Sequence, residues 1–324
     1  MEEVFEQLGL LVLFSFLLIK ATDILLINLK RFSSRTRLGQ FAITGFLLAL
    51  ATTLPEFFVG VSSALEGVPN LSLGNIIGSN IADLSLIIGG AALVGGSLGV
   101  KGDFLRRDIF YAFLAGAAPM MLLLDRQLTR LDGVILLALY GFYNFSLFAQ
   151  QKKKQESREG QEEKVITWLL RRLNHSGKSR DIAWIFLGVA LLIFSADMLV
   201  KTAVKLGLLF QLPILLIGLF LVAVGTSLPE LAFGLRATKE HQPQMVFGNL
   251  LGSVVANGTL IIGVTSLLSP IKITAFSEYL LATLAYVLIF GLFYLFVRTK
   301  QKLERWEGAV LMLVYLAFVV AEFL

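Results

Sequence analysis

The sequence contains one long internal repeat, which restricts the folds open to it. The segment LLALATTLPEF at 47–57 matches LVAVGTSLPEL at 221–231, so that Glu56 corresponds to Glu230. In the same register and without a gap, GNIIGSNIAD at 74–83 matches GNLLGSVVAN at 248–257. Because chance similarity does not keep register over such a length, the sequence predicts two halves of related structure.

Long hydrophobic stretches run through both halves. The chain is 56% hydrophobic and 16% charged, with a mean hydropathy of +0.78, which is more apolar and poorer in charge than a soluble domain. A helix needs about 20 apolar residues to cross a hydrocarbon core about 30 Å thick. Ten candidate spans lie at 5–29, 39–65, 71–99, 108–124, 133–149, 182–200, 212–235, 244–268, 274–297 and 307–324. The sequence therefore predicts an all-α polytopic membrane protein with ten transmembrane helices.

The number of spans in each half sets the orientation of the halves. Since five is odd, the second half enters the membrane upside down relative to the first, as an inverted-topology repeat. We divide the chain into a first five-span repeat at 1–150 and a second at 182–324, joined by a basic linker at 151–181. The matched motifs occupy 47–89 and 221–263.

Basic residues are concentrated in alternate loops. These loops lie at 30–37, 101–107, 152–180, 236–239 and 298–305. Because Lys and Arg are enriched in cytoplasmic loops, we expect these loops and the linker in the cytoplasm and both chain ends outside, most simply across the plasma membrane. The acidic start MEEVFEQ lacks the features of a cleaved signal peptide, so the first span is expected to stay as an anchor. The net charge of +5 thus calls for a lipid bilayer and not for nucleic acid.

Two carboxylates stand inside predicted spans at matched positions, Glu56 and Glu230. An ionisable group at the centre of a membrane costs about 2.5–3.5 kcal/mol on insertion scales, so it is expected to have a partner or a function. Hydroxyl groups share the carboxylate's helix face one turn earlier, from Thr52 and Thr53 in the first half and from Thr226 and Ser227 in the second. The alternative is a carboxylic acid kept neutral by hydrogen bonds.

A second polar motif follows in each half. Ser79 and Asp83 lie one turn apart after GNIIG, and Ser253 and Asn257 lie one turn apart after GNLLG. These long, glycine-containing spans are typical of the discontinuous helices around a transporter site, with breaks expected at the polar residues. For the glycines alone, close helix packing is the better explanation.

The available ligand atoms are hard oxygens. Pro55 and Pro229 lack an N–H and crowd the preceding turn, so carbonyl groups near 49–51 and 223–225 should lose their helical partners. With zero cysteines, thiolate metal sites and cysteine nucleophiles are excluded. Carboxylate, hydroxyl, amide and carbonyl oxygens favour a cation such as Na⁺ or Ca²⁺.

Two further acidic residues, Asp23 and Asp197, occupy matched positions in the first span of each half. Lys20 lies three residues before Asp23, and Lys201 lies four residues after Asp197. We predict local ion pairs here and leave both residues outside the site.

Together these motifs resemble the alpha-repeats of the calcium/cation antiporter superfamily, in particular its sodium/calcium exchanger branch. The resemblance rests on TTLPE with GNIIGSNIAD and on TSLPE with GNLLGSVVAN, and it covers nearly the whole chain. It implies four repeat helices around the ion sites, two long tilted spans outside them, and exchange of several Na⁺ for one Ca²⁺. No cofactor besides the transported ions and no obligate protein partner is expected. By position it implies a metal-binding set of Glu56, Glu230, Asp83, Asn257, Thr52, Thr53, Ser79, Thr226, Ser227, Ser253, Ala49 and Ala223, the two alanines through their carbonyl groups.

The chain departs from that branch at two positions. There the first repeat ends in Asn and the second in Asp, whereas here Asp83 and Asn257 are exchanged. The carboxylate count is unchanged, so we hypothesise that antiport survives with different ion affinities at the mirror sites. Val254 also stands where the first repeat has Asn80, which removes one polar contact.

Other functions remain as alternatives. A proton/calcium antiporter of the same superfamily would carry glutamates where Gly78 and Gly252 stand, so Na⁺ coupling is favoured. A potassium-coupled exchanger stays open. A channel would not need two inverted, nearly identical sites, and an intramembrane enzyme would need a motif such as HExxH, which the chain lacks. The predicted function is secondary active Na⁺/Ca²⁺ exchange by alternating access, extruding Ca²⁺ against inward Na⁺.

Overall fold

Helices form nearly all of the described structure. The computed structural model describes residues 2–36, 53–99, 102–155 and 178–324. The helices of the first half are α1 Glu2–Thr36, α2 Leu54–Leu65, α3 Pro69–Ala82, α4 Ile88–Gly95, α5 Gly102–Leu122 and α6 Arg130–Gln155. Those of the second half are α7 Lys178–Phe210, α8 Ile214–Leu216, α9 Ala223–Thr226, α10 Leu228–Lys239, α11 Pro243–Val255, α12 Ile262–Leu268, α13 Phe276–Lys300 and α14 Arg305–Glu322. The predicted all-α class is confirmed.

Each of the ten predicted spans overlaps at least one of these helices. Five described helices are long and apolar enough to cross a membrane on length and composition, and the bent run from Ile214 to Lys239 makes a sixth. The five are Glu3–Leu25, Pro69–Gly95, Ala183–Phe210, Pro243–Leu268 and Phe276–Lys300. The count of ten spans therefore stays a prediction. Most of the predicted linker, 156–177, lies outside the described residues.

Wide π-helical turns join several of the helices. They are Asp83–Ile87 between α3 and α4, Ile217–Val222 between α8 and α9, and Ala256–Ile261 between α11 and α12. A π-helical turn holds an extra residue and is frequent at functional sites. The helix runs on through both GNxxG motifs, and the irregularity begins at Asp83 in the first half and one residue before Asn257 in the second. The breaks therefore lie at the polar residues, as the sequence predicted.

The glycines of the first motif serve helix packing. A Cβ atom on Gly74 would collide with the carbonyl oxygen of Leu215, and one on Gly78 would collide with that of Leu219. Both glycines therefore let α3 approach the backbone of α8 and its π-helical turn, which belong to the other half. The packing explanation of these glycines is correct at both positions.

The proline motif introduces a bend. The runs Ile214–Thr226 and Leu228–Lys239 meet at 42°, and Ser227 between them has φ −83° and ψ 1°. Pro229 follows at the second position of α10, a place at the start of a helix where proline is tolerated. In the first half, Thr53 precedes α2 with a similar backbone conformation, and Pro55 stands second in that helix. The bend is confirmed in the second half, whereas the residues before Thr53 lie outside the described ranges, so a bend in the first half stays a prediction.

The two longest helices pack against each other along one side of the molecule. Their contact is built on buried leucines such as Leu18 of α1 and Leu192 and Leu199 of α7, which form a hydrophobic cluster separate from the main core. Gly188 brings α7 against the backbone of Leu25. This outer pair corresponds to the two long spans that the family resemblance implied.

The two halves are interlocked by equivalent contacts. A Cβ on Gly89 of α4 would lie 2.6 Å from the Gly308 carbonyl of α14, and one on Gly133 of α6 would lie 2.8 Å from the Gly263 carbonyl of α12. Two short antiparallel strand pairs also join one half to the other. They are β1 Ser97–Gly99 with β4 Lys302–Glu304, and β2 Gln127–Leu128 with β3 Ile271–Lys272, with Leu98 opposite Leu303 and Leu128 opposite Ile271. Each half thus completes the packing of the other.

Candidate functional site

The two matched glutamates are buried at the starts of two short helices. Glu56 lies in the first turn of α2 and Glu230 in the first turn of α10, with exposed fractions of 1% and 2%. Glu230 follows directly on the bend described above. The first turn of a helix carries N–H groups without intrahelical partners, which favour negative charge. The helix start therefore places each carboxylate where the backbone tolerates it within an apolar core.

The first glutamate joins residues of both halves. The Glu56 carboxyl lies near the Thr226 hydroxyl of α9 and within electrostatic range of Asp83. The Thr226 hydroxyl also donates to Asn75 Oδ1 at 3.0 Å and lies 3.3 Å from the Ala223 carbonyl oxygen. A hydroxyl has only one proton to donate. Several acceptor oxygens therefore compete for it, and the arrangement holds more acceptors than donors.

The second motif places its polar residues in the core as well. Ser79 and Ser253 are completely buried, and Asp83 and Asn257 are each 1% exposed. Asp83 opens the first π-helical turn, and Asn257 lies at the second position of its counterpart. The extra residue in such a turn changes the direction of the side chains and loosens the carbonyl ladder. Both features suit a site that coordinates an ion.

A set of buried side-chain oxygens has no hydrogen-bond partner among the described residues. The set comprises Glu56 Oε2, Ser79 Oγ, Asp83 Oδ1, Ser227 Oγ, Ser253 Oγ and Asn257 Oδ1. A buried polar atom without a partner costs about 1–3 kcal/mol, and more when it is charged. Native proteins rarely keep such atoms unless they bind something. Desolvated hard cations would satisfy oxygens of this kind, and their chemistry matches the preference of Na⁺ and Ca²⁺.

The carboxylates do not form a cage on their own. Within the part of the chain that the structure describes, no group of three or more His, Cys, Asp or Glu side chains could hold a metal ion. The neutral hydroxyl and amide oxygens must therefore supply much of any coordination shell. This mixed donor set resembles the oxygen-rich, carboxylate-poor sites that release their ions readily.

The positions of the predicted ligands can now be stated. The ten that the structure describes are all buried: Thr53, Glu56, Ser79, Asp83, Ala223, Thr226, Ser227, Glu230, Ser253 and Asn257. Ala49 and Thr52 lie outside the described residues. Asp83 and Thr226 both lie close enough to Glu56 to interact with its carboxyl group.

The predicted release of the Ala223 carbonyl is wrong. It accepts a hydrogen bond from the Ser227 backbone N–H at 3.0 Å, besides its contact with Thr226. The missing N–H of Pro229 deprives the carbonyl four residues earlier, which is that of Gly225. Ala223 can bind a cation through its carbonyl only if the Thr226 hydroxyl turns away.

Sequence reasoning missed two asparagines that hold the site together. Asn75 is completely buried and accepts from Thr226, and Asn80 accepts a hydrogen bond from Asn257 Nδ2 at 3.0 Å. The repetition of Asn after the first glycine of GNxxG, as Asn75 and Asn249, was the available signal for the first of them. The pairing of Asn80 had no such signal, since its equivalent is Val254.

The predicted ion pairs on the outer helices are confirmed. Lys20 Nζ lies 3.6 Å from Asp23 Oδ2, and Lys201 Nζ lies 2.9 Å from Asp197 Oδ2. Lys201 also lies 3.4 Å from Glu66 Oε1 at the end of α2, a contact that the sequence did not reveal. These charged groups are partly exposed and stand apart from the buried oxygens.

Comparison with known proteins agrees with this architecture. The family model described as "Sodium/calcium exchanger protein" matches residues 6–149 and 181–324. The chain is 27% identical to sodium/calcium exchanger MaX1 of Methanosarcina acetivorans over 94% of this chain and 95% of that protein. It is 32% identical to inner membrane protein YrbG of Escherichia coli over 69% of this chain and 68% of that one. The solved structure of the sodium-calcium exchanger NCX_Mj, soaked with Na⁺ and Sr²⁺, superimposes with a TM-score of 0.63 at 25% identity, covering 98% of this chain and 99% of that one.

Proposed function

From the premise that this chain belongs to the sodium/calcium exchanger family, we propose that it is a secondary active antiporter that exchanges Na⁺ for Ca²⁺ by alternating access. Cation/Ca²⁺ antiport is the activity of the family, and its members are transporters and not enzymes. The coupling ion, the direction of transport and the ligand set are our own proposals for this chain. They rest mainly on the buried oxygens that lack hydrogen-bond partners among the described residues.

We assign the ions to the oxygens of the two matched motifs. Glu56 and Glu230 would be shared by Ca²⁺ and Na⁺, with Asp83 as a third carboxylate. Thr52, Thr53, Ser79, Thr226, Ser227, Ser253 and Asn257 would add neutral oxygens, and Ala49 and Ala223 would add carbonyl groups. The Glu56–Thr226 contact and the proximity of Asp83 support this assignment, because they bring oxygens of both halves to one place.

Competition for the same oxygens explains why the two ions exchange. The three carboxylates carry a formal charge of −3 that is too costly to move through an apolar core without cations. The protein would therefore change its access only with Ca²⁺ or Na⁺ bound. If more than two Na⁺ move for each Ca²⁺, net charge crosses the membrane, and each elementary charge is driven by about 2.3 kcal/mol per 100 mV.

The direction follows from the expected topology. The basic loops would lie in the cytoplasm, which leaves both ends of the sequence outside the plasma membrane. Inward movement of Na⁺ down its gradient would then drive Ca²⁺ out of the cell. α1 and α7 pack against each other in a hydrophobic cluster separate from the main core. This separation supports a motion of the pair against the helices that carry the site.

The decisive experiment is Ca²⁺ uptake into proteoliposomes that hold the purified protein. We expect uptake with an outward Na⁺ gradient and none with a pH gradient or a K⁺ gradient alone. Glu56→Gln and Glu230→Gln should abolish this uptake, while Glu240→Gln should not, because Glu240 is an exposed ion-pair residue just after the helix of Glu230. Uptake driven only by pH would replace Na⁺ with protons as the coupling ion. Uptake that needs no counter-ion would indicate a channel.

A further inference from the structure

One polar contact crosses between the halves without an equivalent on the mirror side. Asn257 Nδ2 donates to Asn80 Oδ1 at 3.0 Å, and each residue is 1% exposed. Asn80 belongs to α3 and Asn257 to the π-helical turn after α11, so the bond joins the two motifs. The residue equivalent to Asn80 in the second half is Val254, which cannot form such a bond.

The oxygen of the Asn257 side-chain amide, Oδ1, remains available for a cation. This atom is buried and has no hydrogen-bond partner among the described residues. Ser253 lies one helical turn before it, and its Oγ is also buried without a partner within the same described ranges. The hydrogen bond to Asn80 thus occupies the donor end of the amide and leaves the acceptor end with the other free oxygens.

A carboxamide and a carboxylate differ in what they require here. A carboxamide can coordinate a cation only through its oxygen, and a rotation by half a turn presents its N–H groups instead. A carboxylate has two equivalent oxygens, so its rotation does not matter. Asp83, at the position equivalent to Asn257, needs no partner to select its orientation. The amide of Asn257 therefore has a hydrogen-bond partner in Asn80. For the carboxylate of Asp83, the residue equivalent to Asn80 is the apolar Val254.

We propose that Asn80 is a positioning residue that holds the Asn257 carboxamide with Oδ1 turned toward the transported cation. The proposal rests on the proposed function and extends it to a residue outside the ligand set. Asn80 lies one turn before Asp83 along the continuous helix, so it neighbours Asp83 in its own half and bonds to Asn257 of the other half. Asn80 thereby makes it possible for a neutral amide to replace a carboxylate on that side of the site.

The test compares Asn80→Leu in two backgrounds, the natural chain and Asn257→Asp. The measured quantities are the KM for Ca²⁺ in Na⁺-driven uptake and the rise in unfolding temperature of the detergent-solubilised protein on addition of Ca²⁺. In the natural chain we expect KM to rise roughly two- to tenfold, because one hydrogen bond that orients a ligand is lost. In the Asn257→Asp background the same change should alter KM less than about twofold, because a carboxylate needs no orientation.

Two controls separate positioning from packing. The rise in KM for Asn80→Leu should not exceed that for Asn257→Ala, since Asn80 acts through Asn257. Val254→Ala removes volume at the equivalent position of the other half, where no hydrogen bond exists. It should lower the unfolding temperature without Ca²⁺ and leave KM unchanged.

Each outcome decides the question. An equal rise of KM in both backgrounds would show that Asn80 only supports the packing, and an unchanged KM in the natural chain would also overturn the proposal. The natural chain could transport no Ca²⁺ under any gradient, while Ca²⁺ still raises its unfolding temperature more than that of Asn80→Leu. In that case the proposed function fails and the positioning role stands. If Ca²⁺ stabilises neither protein and is not transported, both proposals fail.

Discussion

Lys201 on the outer helix α7 lies 3.4 Å from the carboxylate of Glu66, the residue that follows the helix of Glu56. The same ammonium group lies 2.9 Å from Asp197 within α7. Of these two ion pairs, the one with Glu66 joins the outer helix pair to the end of the helix that carries Glu56. It therefore stabilises the present arrangement of the two parts relative to any other arrangement.

Loss of the Lys201–Glu66 contact should speed exchange. The groups are about half exposed, with side-chain exposures of 47% and 40%, so we expect Glu66→Gln to change stability by less than about 1 kcal/mol. The maximal rate of Na⁺-driven Ca²⁺ uptake should rise up to about threefold at low salt, with KM unchanged, and the difference should vanish at high ionic strength. Asp197→Asn is the matched control, because it removes a partner of Lys201 without touching the link between helices. The same rate in all three proteins would contradict this prediction.

The exchanged pair at the second motif should respond unequally to substitution. Asp83→Asn removes a buried carboxyl group near Glu56 that would bind the cation as a carboxylate, so we expect Na⁺-driven Ca²⁺ uptake to fall by roughly a hundredfold or more. Asn257→Ala removes a neutral oxygen and should lower uptake only about two- to tenfold. Flux assays at several Ca²⁺ concentrations measure both effects. Equal and negligible effects would show that neither residue belongs to the site.

A methyl group on a packed glycine should destabilise the protein without changing any ligand. In Gly78→Ala the added Cβ would meet the Leu219 carbonyl and the Ala223 methyl group, and such overpacking costs about 1–3 kcal/mol. Gly90→Ala is the control, because no atom lies within 4 Å of its Cβ position and alanine favours the helix. Thermal unfolding in detergent should give a lower midpoint for the first variant and an equal or higher one for the second. An unaffected Gly78→Ala would mean that α3 and the π-helical turn of Ile217–Val222 are not in close contact.

A capping box at the start of α14 gives a dependence on pH. Hydrogen bonds from Lys300, then from Lys302 and Trp306, lower the pKa of the Glu304 carboxyl to about 2. Since the pKa is lower in the folded state, charged Glu304 stabilises the fold above its unfolded pKa of about 4.3, and this contribution is lost as the pH falls toward the folded value. The unfolding temperature of the natural protein should therefore fall more between pH 5 and pH 3 than that of Glu304→Gln. Parallel pH profiles would contradict the role of Glu304.

The local features of the site could be predicted because they depend on short stretches of chain. The bend before Glu230 follows from the missing N–H of Pro229, and the ion pair of Asp197 with Lys201 follows from helical spacing. The glycines of the first motif were harder to interpret from the sequence, because a glycine can end a helix or admit a neighbour. Only the position of the Leu215 and Leu219 carbonyls decides between the two.

The sequence by itself determined that this chain has two related, largely helical halves and that buried oxygens recur in both. The repeat and its polar residues can be recognised from the order of residues alone. The tertiary structure alone decided which of these residues meet. The pairs Thr226–Asn75, Asn257–Asn80 and Lys201–Glu66 each join distant parts of the chain. Such contacts depend on the rotation and depth of packed helices, which are set by glycine contacts and π-helical turns spread over both halves. An asymmetric pair such as Asn80 with Asn257 therefore becomes visible only when the two halves are packed together.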